Sequence, residues 1–382
     1  VETLFEGFTL GTLEMVNRFV FPPIKLAYGN PDGTVTDRQL LFYQQIASEG
    51  PAVVILEPVS VTPEGKEHPK QLCVHLPGSA GELKKIVEVI YNEDRLACLH
   101  LNHAGAAANP MATGAKPRAP SGITCPASGQ ESEPLSEEEI EGIIAGYRTA
   151  AHNAVRAGFD LIEIQAGHGY LMSQFLNEKI NKRDDGYGRD RLLFAKEVLS
   201  AVKEGAPDIP FTVRISGNEM SPEFGISQAD LLPFLNVVER AGASAIHVGM
   251  GNACFSPPWY FHHGSLPEKP QVDALKWLRE HTSLPLIVAG RMGRKERIKE
   301  VLGDGFADLV ALGRPMVADP HLLEKWQRGR DEEVIYCGYC LQGCLHRVKS
   351  GEPLGCNVNP EIGLPPLVPT DRPMKVMIAG GG

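Results

Sequence analysis

Eight short runs rich in β-branched and other apolar residues, with amphipathic stretches between them, govern what this chain can fold into. They are FVFPPI (19–24), AVVILEPVSV (52–61), ACLHLNH (97–103), LIEIQAG (161–167), FTVRISG (211–217), AIHVGM (245–250), LPLIVAG (284–290) and DLVALGR (308–314). Runs that are apolar on both faces imply strands covered on both sides, and single helical stretches between them imply parallel neighbours. Helix-start signals agree: Ser136 with Glu139 reads as a capping box before EIEGIIAGYRTAAHNAVRAG, and Ser227 with Asp230 as a second before LLPFLNVVERAG. Gly158 and Gly242 stand as stop signals behind them. Eight such units close into a (β/α)8 TIM barrel of the α/β class, with an open doubly wound sheet as the competing arrangement.

Composition narrows the partners. Over 382 residues the net charge is −10 and no Lys/Arg-rich run interrupts it, which argues against a nucleic-acid backbone or an anionic membrane as the main partner. No apolar stretch reaches the roughly 18–20 residues of a membrane span. The N-terminal VETLFEGFTLGTLEM lacks the basic and apolar blocks of a signal peptide, so a cytoplasmic, reducing location is expected. There Cys73, Cys98, Cys125 and Cys254, each isolated in sequence, are expected to be reduced packing residues. The sequence leaves a homo-oligomer open.

The other four cysteines lie together. Residues 1–335 carry the barrel pattern, whereas 336–365 are rich in Cys, Gly and Pro and need a crosslink or metal to hold shape. Cys337, Cys340, Cys344 and Cys356 follow the spacing C-x2-C-x3-C-x11-C. The chemical options are zinc, two disulfides or an iron–sulfur cluster. A reducing compartment disfavours disulfides, and structural zinc usually takes paired C-x2-C knuckles. Three close thiols and one remote thiol suit a cubane cluster, with Gly338, Gly343 and Gly355 expected to supply the tight turns. Residues 366–382 read as a linker followed by MKVMIAGGG, a strand opening a dinucleotide-binding glycine turn at Gly380 and Gly382. The expectation is that a nucleotide-binding domain begins here.

In a barrel of this kind the active site forms at the C-terminal ends of the strands. Two strands end in glycine–arginine pairs, Gly290-Arg291 and Gly313-Arg314, which suit a phosphate: backbone N–H groups approach it and a forked cation holds it. Arg214, on an otherwise apolar strand, requires an anion. The N1/O2 edge of a flavin, negative on reduction, is one candidate; Glu163 on the neighbouring strand is the alternative. Past the fourth strand, Gln165, His168 and Tyr170 surround a glycine-rich turn. Gln and His can polarise a carbonyl, and Tyr can donate a proton to carbon as hydride arrives on the other face.

GHGYLMSQFLNEKINKRDDGYG, with PPIK, VRIS, AGRM and ALGRP in register along the chain, resembles the old yellow enzyme family of FMN oxidoreductases. The cysteine spacing is similar to that of its iron–sulfur branch, which includes 2,4-dienoyl-CoA reductase and trimethylamine dehydrogenase. The resemblance implies a flavin lined by the backbone of Pro23, Ile24 and Lys25, with Pro58 beside it. It places His100 where a Gln usually reads the pyrimidine edge, Arg214 at N1/O2, and Gly290, Arg291, Gly313 and Arg314 around the phosphate. His168 and Tyr170 fall on a substrate-activating and a proton-donor position, and Gln165 where His or Tyr is common. Cys337, Cys340, Cys344 and Cys356 would hold a [4Fe–4S] cluster, and FAD with NAD(P)H would belong to the further domain. The implied reaction is reduction of an activated C=C bond in an enoyl-CoA, enoate or enone. Amine dehydrogenation is the alternative within the family, and a redox-inert barrel with structural zinc the alternative outside it. The loop after the sixth strand, CFSPPWYFHHGSLPE, offers His262 and His263 as further site residues and Trp259 and Tyr260 as pocket walls.

Overall fold

A computed structural model describes residues 2–48, 50–366, 375 and 377. The strand expected within 374–382, with Gly380 and Gly382, lies outside the described residues. The eight expected strands form β1 (Phe19–Phe21), β2 (Val53–Ile55), β3 (Leu96–Asn102), β4 (Leu161–Gln165), β5 (Phe211–Ser216), β6 (Ala245–Gly249), β7 (Leu286–Ala289) and β8 (Leu309–Ala311). Each pairs in parallel with its sequence neighbour, and β8 pairs with β1, so the sheet closes into a barrel. Two strands are shorter than the apolar runs that announce them. Pro22 and Pro23 end β1, and Glu57-Pro58 split the second run so that Val59–Ser60 forms a separate short strand on β3. Proline has no N–H to give the ladder.

Helices cover the outside of the barrel, among them α1 (Asp37–Ala47), α2 (Ser79–Tyr91), α3 (Glu137–Ala157), α4 (Leu193–Gly205), α5 (Gln228–Arg240), α6 (Lys269–His281) and α7 (Lys295–Gly303). Both expected capping boxes form reciprocally: Ser136 with Glu139 opens α3 and Ser227 with Asp230 opens α5. Among the described residues no helix is long and apolar enough to cross a membrane.

Strand alternation sends every second side chain inward. At the N-terminal end of the barrel these are Val20, Val53, Cys98, Leu161, Ala245, Ile287 and Leu309, closed from below by Leu10 and Met15 of a hairpin, Phe8–Leu10 with Leu13–Met15. One residue pair higher the interior turns polar. Glu163 of β4 is fully buried and bridges two imidazoles, with His100 Nδ1 at 2.8 Å and His247 Nδ1 at 2.6 Å.

The cysteine segment docks on the barrel. Tyr28 Oη donates to Leu354 O at 2.7 Å, Gly293 N donates to Tyr339 Oη at 3.0 Å, and Val348, Leu354 and Ile362 join the main apolar core. Its left-handed positions are Tyr339 and Leu341, at φ +52° and +62°, with Gly351 and Gly363, and none is one of the expected Gly338, Gly343 and Gly355. Gly343 serves a different end: a Cβ there would lie 2.9 Å from Cys356 Cα, so only glycine lets the returning chain come this close.

Cys125 and Cys254 correct the expectation of reduced packing residues, because they form a disulfide across 129 residues. Loops after β3 and β6 bring their Cα atoms to 4.9 Å, a proximity that sequence spacing does not encode. Cys73 and Cys98 are buried and free, as expected.

Candidate active site

At the C-terminal ends of the strands lies an open cleft with about 920 Å³ of empty space. Eight of the ten residues expected to contact a flavin line it: Pro23, Ile24, Lys25, Arg214, Gly290, Arg291, Gly313 and Arg314. Cys344, Leu345 and Val348 of the cysteine segment close one side, and Tyr260, Phe261 and His262 of the β6 loop another. Pro58 and His100 are outside the lining. Gln71 Nε2 donates to Pro58 O at 2.9 Å, and the His100 ring points to Glu163 inside the barrel.

The cleft is strongly cationic. Arg214 Nη1, Arg291 Nε and Arg314 Nη1 are buried with no hydrogen-bond partner among the described residues. A buried guanidinium atom without a partner costs free energy, so the unpaired Nη1 atoms of Arg214 and Arg314 are chemistry suited to an anion, while Arg291 is also held by Leu266 O and by Glu268 at 3.3 Å. Glu163, the alternative partner of Arg214, is committed elsewhere. Burial raises the Glu163 pKa, but His247 and then His100 more than offset it and hold the carboxylate below its usual range. Burial in turn lowers both histidines. The trio is therefore an ionised carboxylate accepting from two neutral imidazoles.

Backbone strain gathers at the same place. His168, His262 and Arg291 have φ of +61°, +45° and +58°, a region that side chains other than glycine seldom occupy and that is enriched at functional sites. His262 is the loop histidine that enters: its ring packs on Gly290, and its pKa falls to about 3 because it is buried and faces Arg314, Arg214 and Arg291. His263 instead meets Ser265 Oγ at 2.8 Å away from the cleft.

The residues of the β4 turn separate. Gln165 Nε2 donates to Gly167 O at 2.9 Å, which ties its buried amide to the turn. The His168 ring lies with Nδ1 at 3.1 Å from Met250 O and Nε2 accepting from Arg214 Nε at 3.3 Å. Burial, then Arg214, drives its pKa well down, and the ring is neutral. Tyr170 is different. Its hydroxyl donates to Glu67 Oε2 at 2.6 Å, accepts from Lys25 Nζ at 3.0 Å and meets Tyr260 Oη at 2.7 Å. Since its single hydrogen goes to Glu67, the Tyr260 hydroxyl is the donor in that contact. Lys25 pairs with Glu67, whose other oxygen accepts from Asn102 Nδ2 at 2.7 Å.

Glu67 carries no sequence signal; it lies in TPEGKEHPK, a loop without periodicity. The Lys25 side chain was equally hidden, because the PPIK pattern points to its backbone. The four clustered thiols are all free, Cys340 exposed and the others half-buried. Four thiols are the donor set of an iron–sulfur cluster, so the chemistry fits. Among the described residues, however, no three His, Cys, Asp or Glu side chains are already gathered as a cage.

Comparison with known proteins agrees with this geometry. The family described as NADH:flavin oxidoreductase / NADH oxidase matches residues 3–333. A metal reductase of Desulforamulus reducens is 32% identical over 99% of this chain and 57% of its own length. An NADPH dehydrogenase of Clostridium acetobutylicum is 30% identical over 84% of this chain and 93% of its own. The solved complex of 2-naphthoyl-CoA reductase superposes with a TM-score of 0.89 at 23% identity, over 95% of this chain and 57% of that one. The chain thus spans less than two thirds of the length of its longer relatives.

Proposed function

The chain belongs to the NADH:flavin oxidoreductase / NADH oxidase family, and from that premise we propose that this oxidoreductase uses FMN to reduce a C=C bond conjugated to a carbonyl, with electrons drawn from NAD(P)H. The observation that carries the reading is the cleft itself. Arg214, Arg291 and Arg314, each with one buried guanidinium nitrogen unpaired among the described residues, line it, and so does Lys25, whose ammonium donates to the Tyr170 hydroxyl.

Arg291, Gly290, Gly313 and Arg314 would hold the phosphate, Arg214 the N1/O2 edge, and the backbone of Pro23, Ile24 and Lys25 the ring, with Pro58 and His100 behind. Bound there, FMN would supply hydride transfer. Tyr170 donates the proton that the second carbon needs. His168 acts by fixing Arg214, and Gln165 by setting the turn that presents Tyr170. Cys337, Cys340, Cys344 and Cys356 would hold a [4Fe–4S] cluster, whose chemistry is one-electron transfer. FAD and the NAD(P)H site belong, in this reading, to a further domain.

Anaerobic mixing of the reduced, FMN-loaded protein with enoyl-CoA esters, enoates and enones tests the reading. Flavin reoxidation with release of a saturated product is the expected result. A protein that retains no FMN overturns it, as does one whose oxidised flavin is bleached by amines while its reduced form ignores every alkene.

A further inference from the structure

Gln165 and His168, the side chains best suited by type to polarise a substrate, are both committed within the protein. The groups left around the Tyr170 hydroxyl are Lys25, Glu67 and Tyr260. Lys25 lines the cleft and its side chain is 24% exposed, whereas that of Glu67 is 5% exposed. Of the groups that touch the Tyr170 oxygen, Lys25 and Tyr260 line the cleft, and Lys25 is the charged one.

We propose that Lys25 is the proton relay of the active site: it returns a proton to Tyr170 after each turnover and takes its own from water, while Glu67 holds it in position and Tyr260 steadies the phenol oxygen. The inference rests on the reading of Tyr170 as proton donor to an alkene. In that step the Tyr170 hydrogen turns from Glu67 to the substrate carbon. The O–H bond breaks as the new C–H bond forms, and the hydride and its electron pair come from the reduced flavin to the other carbon. The phenolate left behind takes one proton from the Lys25 ammonium, and the resulting amine takes one from water. The sum is one hydride and one proton per double bond, with the protein unchanged.

Lys25 and Tyr260 both donate to the oxygen that becomes negative, which makes Tyr170 a better acid. Glu67 acts in the opposite sense on Tyr170 but keeps Lys25 charged. Burial alone lowers the Lys25 pKa, and Glu67, chiefly, raises it above its ordinary value. Besides these three groups, the charged residue that senses Tyr170 is Arg214.

The experiment compares Lys25→Ala, Lys25→Arg and Tyr170→Phe in the FMN-loaded protein. Reoxidation by the alkene should slow at least tenfold in Lys25→Ala and recover on addition of small primary amines, with a rate that follows the pKa of the amine. Lys25→Arg, which cannot release a proton near neutrality, should stay slow. A merely structural lysine would be replaced by Arg and would not respond to amine basicity, and either result overturns the relay. If Tyr170→Phe also reoxidises at the unmodified rate, the donor reading itself fails. If only Lys25→Ala does, the relay alone fails. A second readout is independent of turnover. Fluorine NMR of fluorotyrosine-labelled protein, with Tyr170 assigned from Tyr170→Phe, should show its ionisation fall by about 1–3 units in Glu67→Gln. Adding Lys25→Met should reverse that fall, and a resonance unmoved by either change overturns the proposed coupling.

Discussion

The two ends of the barrel are built on the same strands and obey opposite rules. At the floor, inward positions are Val, Ile, Leu, Ala and Cys98, closed by the Leu10–Met15 hairpin and gathered in one apolar cluster. Toward the rim, inward positions of those strands carry His100, Glu163, Arg214 and His247, then a cleft with partnerless guanidinium atoms and left-handed side-chain residues. The floor gains stability by removing apolar surface from water. The rim gives up stability to hold charge ready for a ligand. Substitutions at the two ends should therefore separate stability from function.

The largest effect belongs to the rim. Tyr170→Phe removes one hydroxyl and should slow alkene-dependent flavin reoxidation by about 10²–10⁴-fold, the usual worth of a positioned acid. FMN affinity should change little, since Tyr170 does not line the cleft wall that would hold FMN. Rapid-mixing rates alongside a flavin titration check both halves.

Next come the layers that meet between the ends. Glu163→Ala takes the acceptor from between two buried histidines, leaving both Nδ1–H donors unpaired, and should cost about 1–3 kcal/mol of stability for each donor in denaturant titration. Ile287→Ala on the floor should cost about 2–5 kcal/mol through the cavity it leaves. The two differ in consequence: Ile287→Ala should spare FMN affinity, while Glu163→Ala frees the His100 ring beneath the cleft and should weaken it.

Glu57 extends the comparison to pH. Its carboxyl is fully buried, accepts from Gln39 Nε2 at 2.8 Å, and is pushed by burial from 4.5 to about 7. Between these values the folded protein keeps a proton that the unfolded chain has released. Stability is thus fully present below about 4.5 and falls as pH rises toward about 7. The shift corresponds to about 3 kcal/mol. Glu57→Gln should flatten this slope in unfolding curves taken across the window.

Much of the molecule was legible because its signals are local. Strand order, the Ser136 and Ser227 caps and the stop at Gly158, with φ +89°, follow from short sequence patterns. The glycine–arginine pairs and Arg214 were legible for a related reason, since an isolated charge or glycine at a strand end has few structural uses. What stayed hidden depends on contacts distant in sequence. Glu67 reaches Tyr170 across 103 residues, and Lys25 reaches Tyr170 across 145. The Cys125–Cys254 pair spans 129. The positions that bear positive φ, such as His168 and Leu341, were hidden as well. Side-chain type favours glycine there, and only packing against the rest of the barrel holds other residues in that conformation.

The smallest effect is also the sharpest divider between floor and rim. Arg314 reaches His262 O through Nη2 at 3.1 Å, but its Nη1 is buried with no partner among the described residues. A charge-assisted contact to phosphate is worth about 1.5–3 kcal/mol, so Arg314→Met should weaken FMN binding roughly ten- to hundredfold. The same change removes a poorly satisfied buried cation and puts an apolar chain of similar length against Tyr339, over whose ring the guanidinium lies at 5.0 Å. The flavin-free protein should then unfold at equal or higher denaturant concentration, the reverse of Ile287→Ala, which loses stability and keeps FMN. If Arg314→Met instead lowers the unfolding midpoint as Ile287→Ala does, the rim is packed for stability like the floor, and the contrast between the two ends fails.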